Sequence, residues 1–310
     1  MNRAPDQPAA SAVRAVLRHF RAQRPLRAGS LLVTIFGDAI APRGGAVTLG
    51  SLIRLAAPFG LTERLVRTAV ARLAREGWLT ATRCGRRSEY RLSAHGARRF
   101  AEATRRIYSA GPAGWDRRWT LLIWPAGVPR PARVREELHW LGFGQLAAGV
   151  FAHPGATAQE ARAWLRNMRG GAGALLLSAS AQDAAGEQQL SAAGWDLGAL
   201  GRRYERFLKH FAPLARAAAA LTGERAFLVR TLLIHEYRKI HLQDPLLPVS
   251  LLPPDWAGTR AYALSGRIYA RLFAASEAYL SVTARRLSEA LPPAQRLTYA
   301  RFGGLPQPAP

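Results

Sequence analysis

Cysteine is almost absent from this 310-residue chain: Cys84 stands alone, which excludes an intramolecular disulfide framework and fits a reducing compartment. No apolar run reaches the roughly 18 residues that a membrane-spanning helix needs, so an ordinary span is excluded and the chain reads as cytoplasmic. Residues 1–28 offer no secretory pattern, because Arg14, Arg18, Arg21 and Arg24 interrupt every apolar stretch that could serve as its core, and they read as a mobile tail running into a short helix. Lysine is limited to Lys209 and Lys239, and acids are scarce: 20 Asp and Glu face 44 Lys and Arg, for a net charge of +24 and a pI near 11.6. A balance this one-sided points to polyanionic partners. Arginine in place of lysine is also what a GC-rich genome produces, so the distribution of the charge says more than its size. Residues 1–110 hold 20 Arg and 6 acids, placing 14 of the 24 surplus charges in the N-terminal third.

Composition shifts divide the chain at residues 111–114 (GPAG) and again over 186–194, where AAGEQQLSAAG lacks large apolar residues. The expected organisation is an α+β multidomain protein: a tail and short helix over 1–28, a winged helix-turn-helix over 29–112, a ferredoxin-like α/β domain over 113–186 and a mainly helical domain over 187–310. In the first of these, SLLVTIFGDAI reads as an apolar helix, PRGG as a turn, and Leu49, Leu52, Ile53 and Leu55 as the buried stripe of a second helix. Gly60 and Thr62 mark a stop and a restart, Thr62 being a good N-cap for the helix LTERLVRTAVARLAREGW.

At 100° per residue that helix places Leu65, Val66, Ala69, Val70 and Leu73 on one face and Arg64, Arg67, Thr68, Arg72 and Arg75 on the other. Residues 78–83 and 89–92 read as strands joined by 84–88 (CGRRS), and Ser93 caps a helix reaching Tyr108. Helix, helix, turn, helix, strand, basic hairpin, strand is the order of a winged helix-turn-helix. Guanidinium forks on the exposed face suit guanine edges or phosphates in a major groove, with Arg86 and Arg87 on the hairpin tip reaching a neighbouring groove or backbone. The competing reading is a merely solvated arginine face. Cys84, beside the hairpin, is assigned no redox role.

Farther along, TLLIWP, residues 145–152 and GALLLSA read as strands, with helices around Val134, Leu138 and Leu141 and over 157–169 between them. That alternation is ferredoxin-like. Residues 170–173 (GGAG) lack the lysine and hydroxyl of a phosphate loop and read as a turn. Helices follow over 195–221, 222–242 and 257–291, broken by DPLLPVSLLPPDW with its four prolines, and RFGGLPQPAP ends the chain as an arm.

Catalytic signatures are weak. In HEYRKIH the two histidines, His235 and His241, lie six positions apart, about 240° around a helix, which is the wrong face for shared zinc ligation. No G-x-S-x-G is present, and the first strand of the middle region ends in Ile123, Trp124 and Pro125 rather than a metal-binding carboxylate. The chain is therefore read as no enzyme, without catalytic or metal residues. His235, Arg238, Lys239 and His241 form a candidate cationic cluster for an anionic small molecule, beside Tyr204, Phe207, Phe211, Phe227 and Tyr237; solvated polar stripes explain the same pattern equally well.

PRGGAVTLGSLIRLAAPFGLTERLVRTAVARLAREGW and GRRSEYRLS resemble the N-terminal region of the PaaX-type repressors of phenylacetic acid degradation. The resemblance continues through AGPAGWDRRWTLL, LTGERAFLVRTLLIHEYRKIHLQDPLLPVSLLPPDWAG and the terminal RFGGL, covering nearly the whole chain. It implies a homodimeric repressor that binds double-stranded operator DNA and is released by phenylacetyl-CoA as effector, with no other cofactor. It also implies a middle domain similar in fold to a CRISPR adaptation nuclease subunit, lacking that subunit's catalytic carboxylate. The rival readings are a nonspecific nucleic-acid-binding protein, a regulator answering a different aryl-CoA, and a thioesterase for CoA esters, for which no nucleophile and base pair is evident.

Overall fold

The computed structural model describes residues 7–23, 28–111, 114–128, 134–167, 171–287 and 289–306. The fold is mixed α+β with two small sheets. The chain divides into two compact units, each discontinuous in sequence: residues 1–109, 205–239 and 259–310 belong to the first, residues 110–204 and 240–258 to the second.

The first unit begins with α1 (Gln7–Ala22) and α2 (Ala28–Ile35). The apolar helix expected over SLLVTIFGDAI is present but loosens midway into a π-helical turn, Phe36–Ile40, and a 3₁₀ turn, Ala41–Arg43. Leu31, Leu32, Ile35 and Phe36 are fully buried, as a helix apolar on all sides requires. Gly44 and Gly45, at φ +82° and +70°, turn the chain into β1 (Ala46–Thr48). This strand escapes the sequence pattern because three residues cannot display a two-residue period.

The Thr48 hydroxyl accepts from Ser51 N at 3.3 Å and starts α3 (Leu49–Ala56), and Thr62 likewise starts α4 (Glu63–Arg75). The chain then forms β2 (Leu79–Cys84) and β3 (Arg87–Leu92), antiparallel, with β3 between β1 and β2. The five-residue connection expected over 84–88 contracts to Gly85 and Arg86, because Cys84 pairs directly with Arg87. Ser93 caps α5 (Ala94–Tyr108), accepting from Gly96 N at 2.9 Å. A Cβ at Gly96 would fall 2.2 Å from the Trp78 carbonyl oxygen, so only glycine permits this approach of α5 to the residue that precedes β2.

In the second unit the order is β4 (Trp119–Ile123), α6 (Val134–Trp140), β5 (Gly144–Ala147), β6 (Val150–His153), α7 (Ala158–Asn167) and β7 (Leu175–Ala179). The sheet order β5-β6-β4-β7, antiparallel throughout, is the ferredoxin-like arrangement. Leu122, Trp124 and Phe151 pack one face against Val134 and Leu138 of α6, and Trp119 and Ala152 pack the other against Trp195, Leu247 and Leu251. The single strand expected over 145–152 is instead a hairpin, reversed at Gly149 with φ +82°.

The apparent break over 186–194 is a helix, α8 (Ala184–Gly194), capped by the Asp183 carboxylate, which accepts from Gly186 N at 2.7 Å. Its small residues serve close packing: a Cβ on Gly144 would lie 2.8 Å from the Gly194 backbone. Four α-helices follow among the described residues, α9 (Leu197–Phe211), α10 (Leu214–Ala217), α11 (Gly223–His241) and α12 (Ala257–Thr283). The expected helix over 257–291 thus stops at Thr283. Residues 187–310, expected as one helical domain, are shared between the units. Between α11 and α12 only a 3₁₀ turn, Val249–Leu251, interrupts the proline-rich segment. No described helix is long and apolar enough to cross a membrane. The first six residues of the expected tail, Gly170 of the expected turn, the end of the helix at 169 and the last four residues of the arm lie outside the described residues.

Candidate functional site

Helix α4 follows from its sequence. Thr62 Oγ1 accepts from Leu65 N at 3.4 Å, Glu63 occupies the first turn and Arg72 and Arg75 the last, matching the sign of the helix dipole at both ends. Val66, Ala69, Val70 and Leu73 are buried. Leu65, expected among them, is 38% exposed; it sits at the margin of the apolar arc and in the first turn. Arg64, Arg67, Thr68, Arg72 and Arg75 are all exposed, as expected. Their surroundings differ. Arg67 pairs with Glu63 at 2.6 Å and Arg72 lies 3.7 Å from Glu76, exposed pairs that add little stability and exchange easily for another anion. The Arg72 guanidinium also covers Gly29 of α2, where a Cβ would collide with it. The Thr68 hydroxyl donates to Arg64 O at 2.9 Å, so its proton is already used within the helix.

Gly85, at φ +56°, supplies the positive angle that the two-residue loop between β2 and β3 requires, and this places Arg86 and Arg87 at the exposed hairpin tip. Arg67, Arg86 and Arg87 line one cleft of about 630 Å³; Arg64, Thr68, Arg72 and Arg75 lie outside it.

The cluster proposed on α11 separates into three environments. His235 is buried with its Nδ1 2.9 Å from Thr34 Oγ1, and burial, helped by Arg238 and Lys239, holds its pKa well below the usual histidine value. Arg238 donates from Nε to Thr34 Oγ1 at 2.8 Å and from Nη2 to Ser30 O at 2.7 Å, tying α11 to α2; desolvation lowers its pKa to about 10, so it remains charged at neutral pH. Lys239 donates to Gln23 Oε1 at 3.1 Å and to Glu236 Oε2 at 3.2 Å. His241 belongs to the second unit, where its Nδ1 lies 3.1 Å from the Tyr204 oxygen while Tyr204 donates to Asp244 Oδ2 at 2.7 Å. Phe207, Phe211, Phe227 and Tyr237, expected to wall a pocket with Tyr204, are core residues. Among the described residues no group of three His, Cys, Asp or Glu side chains is placed to hold a metal ion.

Sequence reasoning missed a charged network in the core of the first unit. Asp38, in the π-helical turn, accepts from Arg230 at 2.9 Å, Arg301 at 2.9 Å, Tyr108 at 2.6 Å and Tyr269 at 2.7 Å. Arg230 also donates to Glu277 at 2.7 Å, and Glu277 accepts from Arg43 at 2.6 Å. Burial raises the Asp38 pKa, but Arg230 and Arg301 outweigh it and hold the carboxyl below its usual range. The available signal was a single charge inside each of the apolar runs TIFGDAI and FLVRTLLI, since a charge that folding must bury needs a partner.

Comparison with known proteins supplies the context for this geometry. Family profiles described as PaaX-like protein, PaaX protein central Cas2-like domain and PaaX-like protein C-terminal domain match residues 27–96, 112–191 and 195–282. The chain is similar to the transcriptional repressor PaaX of Escherichia coli (strain K12), with 39% identity over 290 residues that span 91% of this chain and 92% of that one. Among solved structures, an uncharacterized protein from Mycobacterium tuberculosis matches at 26% identity and a TM-score of 0.48, covering 87% of this chain and 98% of its own.

Proposed function

The chain belongs to the PaaX family of transcriptional repressors, regulators rather than enzymes, and from that premise we propose that its N-terminal segment is a winged helix-turn-helix that grips double-stranded operator DNA of phenylacetate catabolic genes. The observation carrying this reading is the exposed arginine face of α4 beside the two arginines of the hairpin tip. A 13-residue helix is about 20 Å long and fits a major groove about 12 Å wide. In that pose Arg64 and Arg75 reach base edges, Arg67 and Arg72 exchange their exposed carboxylate partners for phosphates, and Arg86 and Arg87 meet the flanking backbone. A homodimer would present two such helices to a palindromic site.

The effector in this reading is phenylacetyl-CoA. Release requires that the thioester bind the DNA-incompetent arrangement better than the competent one. Helix α11 is suited to transmit that preference, because Arg238 holds Ser30 and Thr34 of α2, and α2 packs on α4. A ligand phosphate that drew Arg238 or Lys239 away would loosen this tie. The test is binding of the full chain at fixed salt to promoter DNA of a phenylacetate operon and to an unrelated duplex. A repressor prefers the promoter by about 10³-fold or more, whereas equal affinity with equally steep salt dependence is the behaviour of a nonspecific binder.

A further inference from the structure

Beyond α12 the chain turns back on itself: Arg285 bridges to Ala290, and Arg286 N donates to Glu289 O at 2.8 Å. This strap is anchored by its backbone to the first unit's sheet and to α3. Thr48 N donates to Arg285 O at 3.0 Å, Arg285 N to the buried Ser51 hydroxyl at 2.9 Å, and Leu287 N to Glu89 Oε2 at 2.9 Å. Glu89, a buried carboxylate on β3, pairs with Arg91 at 3.3 Å through Oε1 and holds the strap backbone through Oε2. The strap so held carries two arginines. Arg285 and Arg286 join Arg54, Arg67, Arg86 and Arg87 around the cleft of about 630 Å³; among its described lining residues Glu289 is the one carboxylate, paired with Arg286 at 2.7 Å, while Arg67 pairs with Glu63 outside it at 2.6 Å.

Three of the six serve the fold as well: Arg54 donates to Thr283 O at 3.0 Å, Arg67 pairs with Glu63 and Arg286 with Glu289. Arginines still outnumber these two carboxylates, so the concavity focuses a positive field that raises the local concentration of anions, and binding a polyanion would compensate the surplus. We propose that the strap is a third element of the nucleic-acid interface: Arg285 and Arg286, with Arg54, seat phosphates of the duplex backbone where it passes between α4 and the hairpin tip. The proposal rests on the DNA-binding reading and adds a contribution from the far end of the sequence. The strap follows directly on α12, whose Glu277 holds Arg43 and Arg230, so a change in the helical core has a short covalent route to the cleft.

The test uses full-length wild type, R285Q/R286Q and R86Q/R87Q, titrated against promoter DNA and an unrelated duplex over a range of salt. The strap variant is expected to bind both duplexes roughly tenfold or more weakly. Its plot of log affinity against log salt should be shallower by about 1.8, two phosphate contacts at about 0.9 each, with an unchanged thermal midpoint. Wild-type affinity and slope in R285Q/R286Q, with R86Q/R87Q impaired, would overturn the proposal while leaving the DNA-binding reading standing. Coenzyme A is titrated in parallel: loss of its binding in R285Q/R286Q with duplex binding unchanged would also overturn the proposal, by assigning the cleft to a soluble phosphoester. If wild type binds neither duplex, the underlying reading itself fails.

Discussion

Asp38 joins two buried arginines and two tyrosines in the first unit's core. Its carboxylate neutralises two buried arginines, and removing one member of a buried charge network leaves the others uncompensated. Asp38→Asn is expected to destabilise the protein by about 3–5 kcal/mol in chemical denaturation, despite its nearly identical shape. Because the folded pKa is depressed, the charge contributes stability above the unfolded value of 3.8 and loses it as pH falls through the folded one. His235 acts in a higher window. Its folded pKa lies well below 6.5, so the unfolded chain takes up a proton first and stability declines as pH drops below 6.5. His235→Gln should flatten the stability profile between pH 7 and 5 relative to wild type; an unchanged slope would show that His235 is not the group responsible. Neither residue was legible as a partner. Thr34 lies 201 residues from His235, and Asp38 lies 192 from Arg230 and 263 from Arg301, separations at which one sequence carries no pairing signal.

At the scale of elements, what could be read was local. The cap at Thr62, the apolar stripe Val66, Ala69, Val70 and Leu73 and the cap at Ser93 each depend on neighbours within one or two turns, and α4 and α5 form as the pattern requires. The hairpin of β5 and β6 was hidden because Gly149 alone breaks an otherwise continuous strand pattern. Helix α8 was hidden because its sequence is adapted to close packing rather than to burying large side chains. The exposed arginine face was legible as a surface, but the placement of Arg67 with the strap arginines was not, since it needs a fold that joins residue 48 to residue 285. The face also divides by role. Arg64→Gln or Arg75→Gln should cost about 1–3 kcal/mol on promoter DNA and less on an unrelated duplex, leaving stability unchanged. Equal losses on both duplexes would reassign these side chains to phosphates.

For the whole molecule, a surplus of 24 positive charges guarantees attraction to nucleic acid but not selectivity, so nonspecific affinity by itself decides nothing. Regulation adds a second requirement, two arrangements that a ligand can tell apart. The Arg238 tie between α11 and α2, and the core linking Asp38 to Arg230, Glu277 and Arg301, connect the C-terminal helices to α2 and its π-helical turn, and α2 packs on α4, which presents the arginine face. The most direct test is promoter binding at one salt concentration, with phenylacetyl-CoA added and with free phenylacetate and coenzyme A as controls. A ligand-controlled repressor binds the promoter specifically and is released by the thioester, not by either component. Specific binding that phenylacetyl-CoA leaves unchanged would contradict the account of release.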